Sequence, residues 1–394
     1  MIDLMAWLAL VLMAFALISS VVFVLAFLAV LRFLAQPEPS DPSTWPRVSI
    51  LKPVKGLDPA ARAGFVSFIE QDYPDFEVIF AVEGQDDPIL PMIRELQQAY
   101  PEREIKLVDS SPRTVEMGKA NNVLAAQRVA TGQVYVSADS DLIAGKDDLR
   151  RLVRALYSNP GGKPVAAAGA IPVYREMRDV GAHLLGAYYS PFMILYYSVK
   201  EFFGVRDVFP GTYYAIKPEM LAQVGGFGRV ADNIADDSTM GKYLFEAGYQ
   251  SIITKVKGNV PEPKKSFLEY WAHQHRWHLT YRTTISLLEY FLLPLTHPFL
   301  AALSLPFLLP YAGISSSIGW LILISYVSLR WIGIAILNLI YFREPAMWRS
   351  MWFLPLTEIL LLGAWIRALI QTTTSWRGRV YRVSQGGKLV RLKE

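Results

Sequence analysis

The hydrophobic pattern divides the chain into an apolar start, a polar and alternating middle, and an apolar return. Leu4 to Leu31 is apolar apart from Ser19 and Ser20. As a helix it would be about 40 Å long, enough to cross the hydrocarbon of a bilayer with some tilt. This predicts a membrane helix over residues 1–35. A cleaved leader fits poorly, because the apolar run is too long and the charge before it is Asp3, with no Lys or Arg. Arg32 follows the run, so the positive-inside preference puts the N-terminus outside and the continuation in the cytoplasm. Gln36 to Pro46, rich in Pro and Ser, reads as a linker.

From residue 48 to 259 short β-rich runs alternate with helical spacing. Val48 to Leu51, Glu77 to Val82, Ile105 to Val108 and Gln133 to Val136 read as strands. Ala60 to Glu70, Leu90 to Tyr100 and Asn121 to Thr131 read as helices between them. Such alternation implies an α/β domain with a mostly parallel sheet and a ligand site at the carboxyl ends of its strands. Ala182 to Gly204, dense in Tyr and poor in charge, reads as a helix lying on the bilayer surface. Ser266 to Thr280 reads as an amphipathic helix.

The chain then turns apolar again. Leu287 to Leu309 is broken by Pro294, Pro298 and Pro306, which predicts a kinked span or a re-entrant hairpin. Ile314 to Tyr341 and Met351 to Ile370 read as spans despite Arg330, Glu358 and Arg367, charges expected to pair or to face the site. Three full crossings would leave the basic tail, residues 376–394, outside, against the positive-inside preference. One segment is therefore expected not to cross fully. The division is 1–35, a soluble domain over 36–284 with interfacial helices, apolar segments over 285–375, and the tail.

Composition agrees with a membrane protein: 52% of the 394 residues are hydrophobic and mean hydropathy is +0.25. A net charge of +4 is modest for nucleic-acid binding and needs no such partner. With no cysteine there is no disulfide, thiolate metal site or Cys nucleophile.

The strand read over Gln133 to Val136 continues through Ser137-Ala138 into Asp139-Ser140-Asp141. Hard oxygen ligands at a strand end suit Mg²⁺ or Mn²⁺, which keep positions open for substrate phosphates. Asp236-Asp237 opens a helical run over Ser238 to Gly248, and Asp236 is read as a helix cap. His273, His275 and His278 make a poor metal site, since the first two point to different helix faces.

Several motifs now form a pattern. Val48-Ser49-Ile50-Leu51-Lys52-Pro53-Val54-Lys55-Gly56-Leu57-Asp58-Pro59, Gln71-Asp72-Tyr73-Pro74 and Lys119-Ala120-Asn121-Asn122 precede Asp139. Gly211-Thr212, Gly225-Gly226, Asp236-Asp237, His273-Gln274-His275-Arg276-Trp277 and Trp376-Arg377-Gly378-Arg379 follow it. In this order they resemble the ceramide glucosyltransferase family, with a related hopanoid-lipid branch. The resemblance implies an A-type glycosyltransferase fold, Rossmann-like with a mixed sheet, between N-terminal and C-terminal transmembrane helices. It implies transfer of a hexose, glucose first, from a UDP-sugar to a lipid hydroxyl, ceramide first, with inversion, or, for the hopanoid branch, transfer of an N-acetylhexosamine to a hopanoid or other lipid. It places the chain in a bacterial inner membrane, or in the Golgi of a eukaryote, as a multi-pass protein with its catalytic domain cytoplasmic.

Residue by residue, the resemblance makes Asp237 the general base and puts the divalent cation on Asp139 and, less securely, Asp141. Lys52, Lys119, Asn122, Gly211, Thr212, Arg276 and Trp277 fall to donor or acceptor binding, with His273 in the place where the family has Gln or Arg. The family acid after the second strand is replaced by Gly84, so Glu83 or Asp86 is expected to take its contact. A processive polysaccharide synthase would need more spans and an intact Gln-x-x-Arg-Trp. A non-catalytic scaffold would not need acids at strand ends.

Overall fold

The computed structural model describes residues 2–58, 60–376 and 379–392. Pro59, Arg377 and Gly378 of the motifs above, and the last two residues of the tail, lie outside them. Helix α1 (Ile2–Ala35) leads to β1 (Val48–Val54), α2 (Ala61–Ile69), β2 (Phe76–Val82), α3 (Leu90–Ala99), β3 (Glu104–Asp109), α4 (Gly118–Val129) and β4 (Val134–Ala138). The expected strands and helices of this half are all present, with α4 starting three residues early. Next come α5 (Asp148–Leu156), β5 (Val165–Arg175), α6 (Val180–Phe202), β6 (Tyr213–Ile216), α7 (Pro218–Gln223), α8 (Asp236–Glu246) and β7 (Gln250–Pro261).

The seven strands form one sheet in the order β3-β2-β1-β4-β6-β5-β7. β1, β2, β3 and β4 are mutually parallel, as is β5 with β7, but β6 runs antiparallel to both its neighbours. The sheet is thus mostly parallel, as expected, and mixed only through the reversal of β6. The reversal matters: pairing Ala138 with Tyr213 brings the start of β6 to the edge where β4 ends. Gly211 and Thr212 therefore arrive beside Asp139, whose N–H donates to the Thr212 carbonyl at 2.9 Å.

Beyond β7 lie α9 (Phe267–Thr284), α10 (Leu287–Leu292), α11 (Phe299–Leu308), α12 (Ser316–Leu337), α13 (Met347–Ser350) and α14 (Leu354–Ile370). Ser266 caps α9 in a reciprocal box with Glu269, each side chain bonding the other's backbone N–H. Among the described residues three stretches are long and apolar enough to cross a membrane, Leu4–Ala35, Ser316–Phe342 and Met347–Ile370, while α10 and α11 form a pair bent by 63°. The break falls at Pro294 and Pro298, where a proline removes a helical hydrogen bond. α12 packs against α1, and at Gly333 a Cβ would come within 2.7 Å of the Phe23 ring, so only a glycine admits so close a crossing.

Two expectations are corrected here. α6 is a core helix and not a surface one: Tyr189, Ser190, Met193, Ile194 and Tyr197 are buried, and Ser190 accepts from the Tyr174 N–H of β5 at 3.0 Å. Its aromatic richness serves interior packing and the lining of a cavity. The basic tail is, over its described residues, part of a small antiparallel sheet of β8 (Thr373–Trp376), β9 (Arg379–Val383) and β10 (Leu389–Arg391). It folds back onto the α/β domain through Ile234 N–H to Gly387 O and Leu389 N–H to Asp232 O, both 2.8 Å.

Both ends of α14 also meet that domain. At one end Thr357 donates to Leu184 O of α6 at 3.3 Å, and Ser350, which closes α13 just before it, bonds His183 of α6 at 2.9 Å. At the other, Ala368 packs in a cluster with Met117, Leu279 and Tyr381. Between them, buried Glu358 lies 3.7 Å from the Arg330 guanidinium, and accepts from Tyr326 Oη at 2.6 Å and from the Phe299 N–H at 3.0 Å. This cluster ties α11, α12 and α14 together, and removing one charge strands the other in an apolar interior. Glu358→Leu or Arg330→Leu alone is expected to cost about 3–5 kcal/mol of stability. The double variant should cost less than the sum, as read by denaturant unfolding of the protein in detergent.

Candidate active site

At the carboxyl ends of β1, β2 and β4 a cavity of about 430 Å³ opens, lined by loops after those strands and by α4, α6, α8, α9 and β9. Its size suits a ligand larger than a monosaccharide. Of the residues assigned from sequence, Glu83, Lys119, Asn122, Asp139, Asp141, Gly211, Thr212, Asp237, Arg276 and Trp277 line it. Lys52, Asp86 and His273 do not.

The polar end is organised by a chain of bonds. Lys119 Nζ lies 2.6 Å from Asp139 Oδ1 and donates to the Gly211 carbonyl at 2.9 Å. The Gly211 N–H in turn donates to Asp237 Oδ2 at 2.7 Å, and the Ser238 N–H to Asp237 Oδ1 at 2.7 Å. One ammonium and the backbone of one residue, Gly211, thus connect the two acids. A Cβ at Gly211 would stand 2.8 Å from Asp237 Oδ2, which excludes any larger residue there.

Burial raises the Asp237 pKa, against the pull of its two N–H donors and of Lys119. Burial also raises Asp236, to about 6, with Asp237 adding to the shift and Lys119 opposing it. Asp236 lines the cavity and its Oδ1 accepts the Asp237 N–H at 3.0 Å, while the helix N-cap itself is Ala235. The capping role is therefore corrected: Asp236 is a pocket acid beside Asp237. For Lys119, burial works against the ammonium but Asp139 and Asp236 together raise its pKa, so it stays charged.

Lys52 lies beneath the site, fully buried, 4.1 Å from the Phe68 ring centre, and donates to the Asp139 backbone carbonyl at 2.5 Å. Burial lowers its pKa to about 7, against the attraction of Asp141 and Asp139. It positions the β4 turn from below and does not line the cavity. Asp86 is exposed outside the cavity; its neighbour Asp87 orders that turn by accepting the Gly56 N–H at 3.0 Å. Glu83 is the acid that remains at this end, held by the Arg113 fork, whose bond keeps its pKa low. Asn122 fixes the floor, donating to Val54 O at 2.9 Å and accepting from Ser110 Oγ at 2.6 Å. His273 stacks behind Trp277, ring centres 5.6 Å apart, and its place is structural.

The other end is aromatic. Tyr189, Phe192, Tyr196 and Tyr197 from α6 face Trp277 and Tyr281 from α9. Tyr189 meets the Trp277 ring edge to face at 4.4 Å. Sequence reasoning missed Arg113, which sits in an aperiodic loop, and gave no role to Arg379 or Tyr381 of β9, all of which line the cavity.

Asp141 is raised to about 6 by burial and by the charges of Asp139 and Asp58, so carboxylates crowd this corner. Among the described residues no group of three or more His, Asp or Glu is placed to hold a metal unaided. Asp139 and Asp141 fit Mg²⁺ or Mn²⁺ as a partial shell of hard oxygens that a ligand's phosphates would complete.

Known proteins share this architecture. Ceramide glucosyltransferase 1 of Caenorhabditis elegans is 22% identical over 368 residues, covering 92% of this chain and 77% of that one. A ceramide glucosyltransferase of Gibberella zeae is 28% identical over 152 residues, 35% of this chain and 29% of that one. The structure of the mannosyltransferase PcManGT from Pyrobaculum calidifontis, in complex with GDP-Man and Mn²⁺, superposes with a TM-score of 0.54 at 21% identity, over 93% of this chain and 99% of that one. The mixed sheet is thus an A-type glycosyltransferase fold with apolar helices at both ends. Residues 11–389, nearly the whole length, match Glycosyl transferase family 21, and the chain belongs to that family of glycosyltransferases.

Proposed function

We propose that this protein transfers a hexose, glucose first, from a UDP-sugar to the hydroxyl of a membrane lipid of the ceramide type, with inversion. The observation that carries the reading is a single cavity with acids and a fixed ammonium at one end and a cage of aromatic rings at the other. Relatives that bear the name ceramide glucosyltransferase support the acceptor class.

The sugar diphosphate would lie toward Lys119 and the β4 turn, and the lipid hydroxyl toward Asp237. As the hydroxyl oxygen bonds the anomeric carbon from the face opposite the diphosphate, the bond from that carbon to the phosphate oxygen breaks and UDP leaves. Asp237 takes the hydroxyl proton. Its two backbone donors hold the carboxylate in one orientation, so little reorganisation accompanies the transfer. A divalent cation, when held by Asp139 and Asp141, supplies positive charge to the departing diphosphate. The aromatic end excludes water from the attacking hydroxyl and fits apolar chain next to it.

The catalytic domain sits on the cytoplasmic side in this reading. The bent pair α10–α11 leads away from it and α12 returns, with Tyr341 beyond its end donating to Lys255 O of β7 at 3.4 Å. α14, pinned at both ends to the domain, lies along the bilayer surface, and the basic tail returns to the cytoplasmic side. This reconciles three long apolar segments with the positive-inside preference.

Membranes carrying the chain, given labelled UDP-glucose and ceramide, are expected to yield a labelled lipid with the β configuration. An α product would contradict inversion, and no labelled lipid from any UDP-sugar would remove the enzyme reading. Asp237→Asn is expected to lower kcat by about 10²–10⁴-fold with UDP affinity kept. For the unaltered enzyme the raised acids give the sign of the pH dependence: kcat falls as pH drops through about 6 and the Asp236–Asp237 pair takes up a proton. A profile flat down to the usual carboxylate range would count against Asp237 as base. The absence of cysteine makes labelling clean: Gln98→Cys and Gln385→Cys should react with an impermeant maleimide from one side, and Ser317→Cys from the other.

A further inference from the structure

Arg379 opens β9 and lines the cavity, together with Tyr381 two residues along the same strand face. Its strand is clasped to the catalytic domain at several points. Besides the two backbone bonds to Asp232 and Ile234, Asn233 Nδ2 donates to Gly386 O at 2.7 Å. Tyr381 is buried in a cluster with Met117 and Ala120, at the start of the helix that carries Lys119. The clasping loop also accepts the Glu116 N–H on Asp232 Oδ1 at 2.9 Å and runs directly into Asp236 and Asp237. The chain end is thus built into the wall of the site.

The cavity is short of positive charge. Among the described residues seven carboxylates line it against five Lys or Arg, and two of those cations are already held by carboxylates. Lys119 is held by Asp139. Arg113 is forked onto Glu83. Among the described residues neither Lys55 nor Arg379 has a carboxylate within ion-pair distance, and both charges are felt at Glu83; of the two, only Arg379 carries a planar fork. A doubly charged diphosphate entering among seven carboxylates needs a cation that is not already neutralised, and a guanidinium fork matches two phosphate oxygens at once.

We propose that Arg379 is a donor-binding residue, brought in by the C-terminal strand to hold the diphosphate of the nucleotide sugar. The inference rests on the donor reading above and adds to it a residue from the far end of the chain. It also gives the small sheet a purpose beyond closing the fold, since donor affinity then depends on the tail being docked.

The test uses the full chain in detergent and measures UDP binding calorimetrically with Mn²⁺ present, alongside KM for UDP-glucose. Arg379→Ala is expected to weaken UDP by about 10–100-fold. Arg379→Lys should recover part of that loss. Arg382→Ala, on the exposed opposite face of β9, should bind as the unaltered chain does. Unchanged binding in both Arg379 variants overturns the inference while leaving the donor reading intact. An equal loss in Arg382→Ala overturns it too, by showing that the tail acts through bulk charge. Failure of the unaltered chain to bind UDP overturns the donor reading and this inference with it.

Discussion

One ammonium, that of Lys119, sets the distance between the acids this site depends on. It bonds Asp139 directly and reaches Asp237 through the carbonyl and the N–H of Gly211. Without it, four carboxylates at the head of β4 and α8 would face one another in a buried pocket at a cost of several kcal/mol for each uncompensated charge. Much of the local sequence follows from this constraint. β6 must run antiparallel to bring Gly211 to the β4 edge, residue 211 must lack a Cβ, and α4 must begin early enough to carry Lys119 into the cavity.

Around that polar knot the chain builds two different neighbours. On one side are the carboxyl ends of β1 and β2 with the Glu83–Arg113 fork, a setting for a polar, charged ligand. On the other are α6 and α9, whose rings make an apolar socket that continues toward the membrane helices through Leu293 beyond α10. The apolar helices are braced independently, by the buried Arg330–Glu358–Tyr326 cluster and by glycine-mediated contact of α12 with α1. A water-soluble donor and a membrane-bound acceptor can therefore meet without either leaving its own phase.

The first half of the sheet was legible because its strands are β-branched runs bounded by turn residues, and Asp139 was legible as an acid at such a run's end. β5 was not, since Ala-rich Val165–Arg175 carries no strand-like alternation, and four-residue β6 is too short to register against its surroundings. Among site residues, Asp139, Asp237, Gly211, Arg276 and Trp277 are brought together as the family resemblance implies. Lys52 was misplaced because every residue of β1 is buried, so strand periodicity could not tell a residue beneath the site from one within it. His273 lies one turn before Trp277 on the same helix face and stacks on it from outside the cavity, a difference that spacing alone blurs. Arg379 lies 240 positions beyond Asp139, and no local pattern announces that the tail returns to the site.

The central claim is that a nucleotide diphosphate and a lipid share one cavity across the Lys119–Gly211 bridge. A cryo-EM structure of the chain in lipid nanodiscs with UDP and Mn²⁺ tests it most directly. The expected map places the diphosphate beside Lys119 and Asp139 and an elongated lipid density among Tyr189, Tyr197, Trp277 and Tyr281, ending near Asp237. Nucleotide density away from Asp139, or a lipid-filled cavity that leaves no room for UDP, would contradict it.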